Sequence, residues 1–179
     1  LTGWLAFFLF FCAILVLTAE IASLLHQYNP LFFLSAHSLT CLAAGLAWIK
    51  RGGGERLKLG LRAFHTPLRK HPELRLLLVG VLLTYAVGLV LLLTTPQNNY
   101  DSMTYHLARV GYWLQHGTLA PWVTPNPRQV TFPPNAEIWI AWTALFTRSE
   151  QLSGMVQWLS APVTMLVDDY YQEILHARP

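Results

Sequence analysis

Charge is what this sequence has least of. Only 12% of its 179 residues are Asp, Glu, Lys or Arg, while 54% are hydrophobic and the mean hydropathy is +0.38. Soluble domains carry about 25% charged residues, so the deficit excludes an ordinary soluble domain and places the chain in a membrane. Cysteine is scarce as well. Cys12 and Cys41 both sit in apolar runs; they read as buried inert thiols, with a single bridge between them left open. There is no internal repeat and no soluble low-complexity domain. The apolar beginning is too long for a signal peptide, and no small-residue cleavage site follows it. Acids are thinnest in the middle, where Asp101 is the only one between Glu73 and Glu137.

What is present in quantity is apolar runs. A transmembrane helix needs roughly 20 apolar residues. "LTGWLAFFLFFCAILVLTAEIASLL", "LFFLSAHSLTCLAAGLAWI" and "LLLVGVLLTYAVGLVLLLTT" each qualify, so residues 1–95 are expected to hold three spans. The fold class that follows is all-α, a polytopic helical membrane protein. Eight of the twelve Lys and Arg lie between Lys50 and Arg75, in a glycine-containing loop joining the second span to the third. Such clustering is a topology signal and not a nucleic-acid footprint; it puts residues 50–75 in the cytoplasm. Contact with anionic lipid headgroups is the other reading of that loop. Counting crossings puts the N-terminus inside and residues 96–134 outside.

Within that outer segment, Met103, Leu107, Val110 and Leu114 repeat at four, three and four residues. The spacing predicts an amphipathic helix over 102–116, lying in the membrane interface and ending at Gly117. Ser102, Tyr105, Arg109, Tyr112 and His116 fall on a neighbouring face. "TLAPWVTPNPRQVTFPPN" has five prolines and reads as an extended loop. Residues 135–179 are expected to form short membrane helices and a polar tail. "AEIWIAWTALFT" is too short to span alone and reads as a tilted or re-entrant helix. "QLSGMVQWLSAPVTMLV" is a marginal span with Pro162 inside it.

Asp101 stands where a helix N-cap residue would, and it is also a lone outside carboxylate able to accept a proton or hold a cation. Tyr105 and Arg109 lie one and two turns further along. Two turns rise roughly 11 Å, so Arg109 is not expected to pair with Asp101 directly. Together with His106 and His116 they would suit a phosphate-bearing ligand, the arginine holding phosphate. Asp101 and His106 are five apart, which in an α-helix turns them in different directions and weakens them as a metal pair. Arg128, in the proline loop, is either aimed at an anion or a headgroup contact. Glu137 is either a substrate contact or a helix N-terminal acid. Glu20 and His37 are single polar groups inside spans, for which hydrogen bonds between helices are the simpler account. Asp168 and Asp169 read as a solvated helix end.

"NNYDSMTYHLARVGYWLQHGTLAPW", "FPPNAEIWIAWTALF" and "SEQLSGMVQWLSA" resemble the GT-C superfamily of membrane glycosyltransferases, on the branch of protein O-mannosyltransferases and lipid A aminoarabinose transferases. The resemblance covers about residues 100–161. Asp101 matches the family's acid after a membrane helix, Pro133 and Pro134 its proline pair, and Glu150 the acid in the following turn. Relatives often carry two adjacent acids, and their acidic loop follows the first span; here Ser102 follows Asp101, and the loop follows the third span. The resemblance implies transfer of a sugar from a polyprenyl-phosphate carrier on the extracytoplasmic face. Asp101 would be the base or the ligand of a divalent cation (Mg or Mn), and the location a bacterial inner membrane. It further implies that this stretch is an N-terminal portion of such an enzyme. The rival reading is a non-catalytic membrane module that binds a lipid carrier or partner helices.

Overall fold

A computed structural model describes residues 2–52 and 70–176. The described residues are helices and connecting loops, with no strand among them. The chain is a helical membrane protein. Three helices are long and apolar enough to cross a bilayer: α1 (Thr2–Leu24), α2 (Pro30–Lys50) and α3 (Pro72–Thr94). α3 is apolar on every side, yet none of its residues is buried. A helix apolar all round belongs in a protein core or in lipid; with none of its residues buried, α3 belongs in lipid. The centre of the expected cytoplasmic loop, residues 53–69, lies outside the described residues.

The chain separates into two compact units, residues 35–91 and residues 1–34 with 92–179. The first holds most of α2 and α3. Cys41 is exposed on α2, not buried as expected, because α2 turns most of its side chains outward. Both cysteines are free.

The second unit carries the functional candidates. After α3 the chain becomes helical again at Tyr100, passes through a π-helical turn (Ser102–His106) and continues as α4 (Leu107–His116). Gly117 ends α4 at φ +67, and its N–H donates to the Trp113 carbonyl at 2.8 Å. This is the left-handed C-cap that glycine supplies without strain. The proline segment is not wholly extended: Arg128–Thr131 forms one helical turn, α5, opened by Pro127. Proline's fixed φ favours the start of a helix even where it forbids the middle.

α6 (Asn135–Thr147) and α7 (Met155–His176) complete the unit. At 13 residues, α6 is about 20 Å long, short of the roughly 30 Å hydrocarbon core. It forms the centre of the unit instead. Ile138, Ile140, Ala141 and Ala144 are buried with Val110 and Trp113 of α4 and Leu15 and Ala19 of α1. Phe8 and Phe11 of α1 pack on its Trp139, and Phe11 also meets Trp142. The Ser23 hydroxyl bonds the Thr118 hydroxyl at 3.1 Å and accepts from the Leu119 N–H at 2.8 Å, fastening the end of α1 to the chain after α4. Asp168 and Asp169 lie within α7, which runs past them to His176. Glu20 is exposed near the end of α1.

Candidate functional site

The buried part of the site is organised by Arg109. Its side chain is 1% exposed, and so is that of Glu137. Arg109 Nη1 donates to Glu137 Oε1 at 3.0 Å and to the Phe132 carbonyl at 3.0 Å. Its Nε donates to the Gln129 carbonyl at 2.7 Å, and Nη2 to the Arg128 carbonyl at 2.8 Å. One guanidinium therefore binds two carbonyls of the α5 turn, that of Phe132 just after it, and one carboxylate of α6. Its cation also lies 5.7 Å from the Trp113 ring centre, in cation–π range. The expectation that Arg109 holds a ligand phosphate does not match its place in the structure. Arg109 is interior, and its donors go to the chain itself.

Glu137 sits in the first turn of α6, but its carboxylate serves α4 and the π-turn more than its own helix. Besides Arg109, His106 Nδ1 lies 3.0 Å from Oε1. The other oxygen, Oε2, is buried with no donor among the described residues. The His106 side chain remains 32% exposed. Tyr105 is buried, with its ring against His106 and edge-on to Phe132.

The surface part of the site is a second, looser pair. Asp101 is 59% and Arg128 52% exposed, with Arg128 Nη1 3.6 Å from Asp101 Oδ1. Arg128 thus belongs to both parts: Arg109 holds its carbonyl, while its own guanidinium faces Asp101. Exposed pairs of this length contribute little to stability, about 0–1 kcal/mol.

Asp101 does not cap the helix. It has helical φ and ψ and makes no side-chain capping bond. Asn99 does that work: its Oδ1 accepts from the Ser102 N–H at 2.7 Å. The structure also changes the helical geometry on which the Asp101–His106 spacing was judged. The Leu107 N–H bonds the Ser102 carbonyl, five residues back, so this turn is wider than an α-turn and positions five apart come closer to one line. Such π-turns frequently occur at functional sites.

Within this turn the Thr104 carbonyl meets the loop. It accepts from Gln129 Nε2 at 2.7 Å and from Asn126 Nδ2 at 3.3 Å. Neither loop residue stood out in the sequence, because nothing local in "DSMTYH" announces a π-turn. The sequence pointed to Asp101 as the cap and missed Asn99, although Asn is as ready an N-cap residue as Asp and stands three before Ser102. His116 lies apart from the Arg109 cluster, stacked on Tyr112 at 3.9 Å; Tyr112 stacks in turn on Trp122.

Among the described residues, no group of three or more His, Cys, Asp or Glu side chains converges as a metal cage would. No family model, curated protein or solved structure matches the chain.

Proposed function

We propose that the chain carries the donor-facing part of a GT-C-like glycosyltransferase, which moves a sugar from a polyprenyl-phosphate carrier to an acceptor hydroxyl on the extracytoplasmic face. The observation that carries this reading is the state of the Asp101 carboxylate. It is exposed, released from capping by Asn99, and set beside the Arg128 cation by a loop that buried Arg109 fastens in place. In an inverting transfer the acceptor oxygen attacks the anomeric carbon, its proton passes to Asp101, and the carrier phosphate leaves with the bonding electrons. Arg128 neutralises the departing phosphate, since an arginine fork matches phosphate geometry. Arg109, whose donors are engaged internally, acts by positioning Arg128. Tyr105, His106 and Glu137 then form the wall that carries the loop, with the part-exposed His106 ring facing ligand.

A divalent cation, magnesium or manganese, fits this donor set only as an ion shared with ligand phosphate. Asp101 supplies one carboxylate, and phosphate and water oxygens complete the shell, as is usual for Mg²⁺. Such an ion would add charge neutralisation at the phosphate. The basic cluster at residues 50–75 supports a cytoplasmic N-terminus and an outer Asp101, and the resemblance adds a bacterial inner membrane as the location. The test is donor turnover by the whole protein in membranes or detergent, using a polyprenyl-phosphate sugar. Asp101→Asn is expected to lower the rate by on the order of 10² to 10⁴, as loss of a general base does, with folding retained. Unchanged turnover leaves the non-catalytic, lipid-binding module as the better account.

A further inference from the structure

A second feature lies away from Asp101 and Arg128, neither of which touches it. A groove of about 520 Å³ runs between Leu107, Gly111 and Leu114 of α4 and Ile140, Ala144 and Leu145 of α6. That volume is within the range of about 300–1,000 Å³ typical of small-molecule sites. Arg148, Ser149 and Glu150 line it as well. Arg148 holds φ +53, the left-handed C-cap conformation normally left to glycine. Arg148 and Glu150 are both exposed, and neither side chain has an ion-pair or hydrogen-bond partner among the described residues. They do not pair with each other. Each charge is uncommitted, and the two sum to zero.

The level of the groove in the membrane is fixed by Tyr28, Asn29 and Pro30, which also line it. These residues close the connection between α1, a helix able to cross a bilayer that ends at Leu24, and α2, which Pro30 opens. The turn after a span lies where hydrocarbon gives way to headgroups. An apolar slot with one free cation and one free anion at that level matches an amphiphile with a zwitterionic head.

We infer that the groove binds a membrane phospholipid whose head carries a phosphate and a primary ammonium, that is, a phosphatidylethanolamine. An acyl chain lies between α4 and α6, Arg148 binds the phosphate, and Glu150 accepts hydrogen bonds from the ammonium. Phosphatidylcholine presents the same charges but no N–H to donate, and phosphatidylglycerol presents a net negative head to Glu150. This inference does not depend on the transferase reading.

The test is binding of labelled phosphatidylethanolamine, phosphatidylcholine and phosphatidylglycerol to the purified protein in detergent, with folding of each variant checked by circular dichroism. A Cβ placed on Gly111 meets nothing within 4 Å, so Gly111→Leu can place a branched side chain in the acyl-chain path from a backbone position that accepts a Cβ. The expected order has phosphatidylethanolamine tightest by about tenfold, the scale of one charge-assisted hydrogen bond. Gly111→Leu is expected to abolish that binding. Arg148→Gln weakens both ethanolamine and glycerol lipids about tenfold, and Glu150→Gln removes the preference between them. Equal binding of the three lipids overturns the inference, as does an ethanolamine preference that survives either Gly111→Leu or Glu150→Gln.

Discussion

Arg109 and Glu137 are the residues on which the site's geometry depends. A buried ion pair adds little net stability over an apolar pair, but removing one partner strands a charge at a cost of roughly 3–5 kcal/mol. Glu137→Gln keeps the shape and loses the charge, so it should lower the thermal unfolding midpoint far more than any single change at the exposed Asp101–Arg128 pair; equal midpoints would remove Arg109 from its organising role. Tyr28 offers a test by pH. Burial raises its phenol above the usual 10.0, and the charge of Glu20 adds to the shift. Because the folded-state pKa is the higher one, the contribution is intact below about pH 10 and is lost as pH rises further. Tyr28→Phe should therefore flatten the alkaline end of the stability profile relative to wild type; identical slopes in an alkaline unfolding series would contradict it.

Among the elements, the π-turn and the α5 turn explain each other. Within the widened turn at Ser102–His106 the Thr104 carbonyl is bonded by Asn126 and Gln129, while Arg109 binds the α5 carbonyls in return. Gln129→Ala removes the shorter of the two bonds to Thr104 and should cost about 0.5–1.5 kcal/mol, because a partly buried carbonyl loses its better partner. Chemical denaturation of the purified variant measures this, and a loss below a few tenths of a kcal/mol would show that the turn stands without the loop. The amphipathic helix was legible in the sequence because its spacing is periodic and Gly117 ends it. The π-turn was not, because it reflects tertiary bonds to residues more than 20 positions away. Short apolar α6 illustrates the same limit: its length excluded a lone span, but periodicity could not reveal that α1 and α4 cover it. Arg109 and Glu137 were legible as polar outliers, while their partnership across 28 positions needed the fold.

At the scale of the molecule, the three spans follow from run length alone, since about 20 apolar residues have few other uses. The reading of Asp101 depends on orientation, for which the proposal rests on the basic cluster at residues 50–75. Single cysteines at Gly53 and at the fully exposed Val123, in a background lacking Cys12 and Cys41, should react with a membrane-impermeant reagent from opposite sides; labelling of position 53 from outside intact cells would reverse the topology. In the proposed transferase the helix cap and the reactive carboxylate are different residues, Asn99 and Asp101. The most direct measurement compares Asn99→Ala with Asp101→Asn in the whole protein, taking unfolding free energy and sugar-transfer rate for each. Asn99→Ala is predicted to lose about 1 kcal/mol of stability while keeping transfer, and Asp101→Asn to keep stability while losing transfer by on the order of 10² or more. Stability lost at Asp101, with transfer unchanged there, would contradict the account.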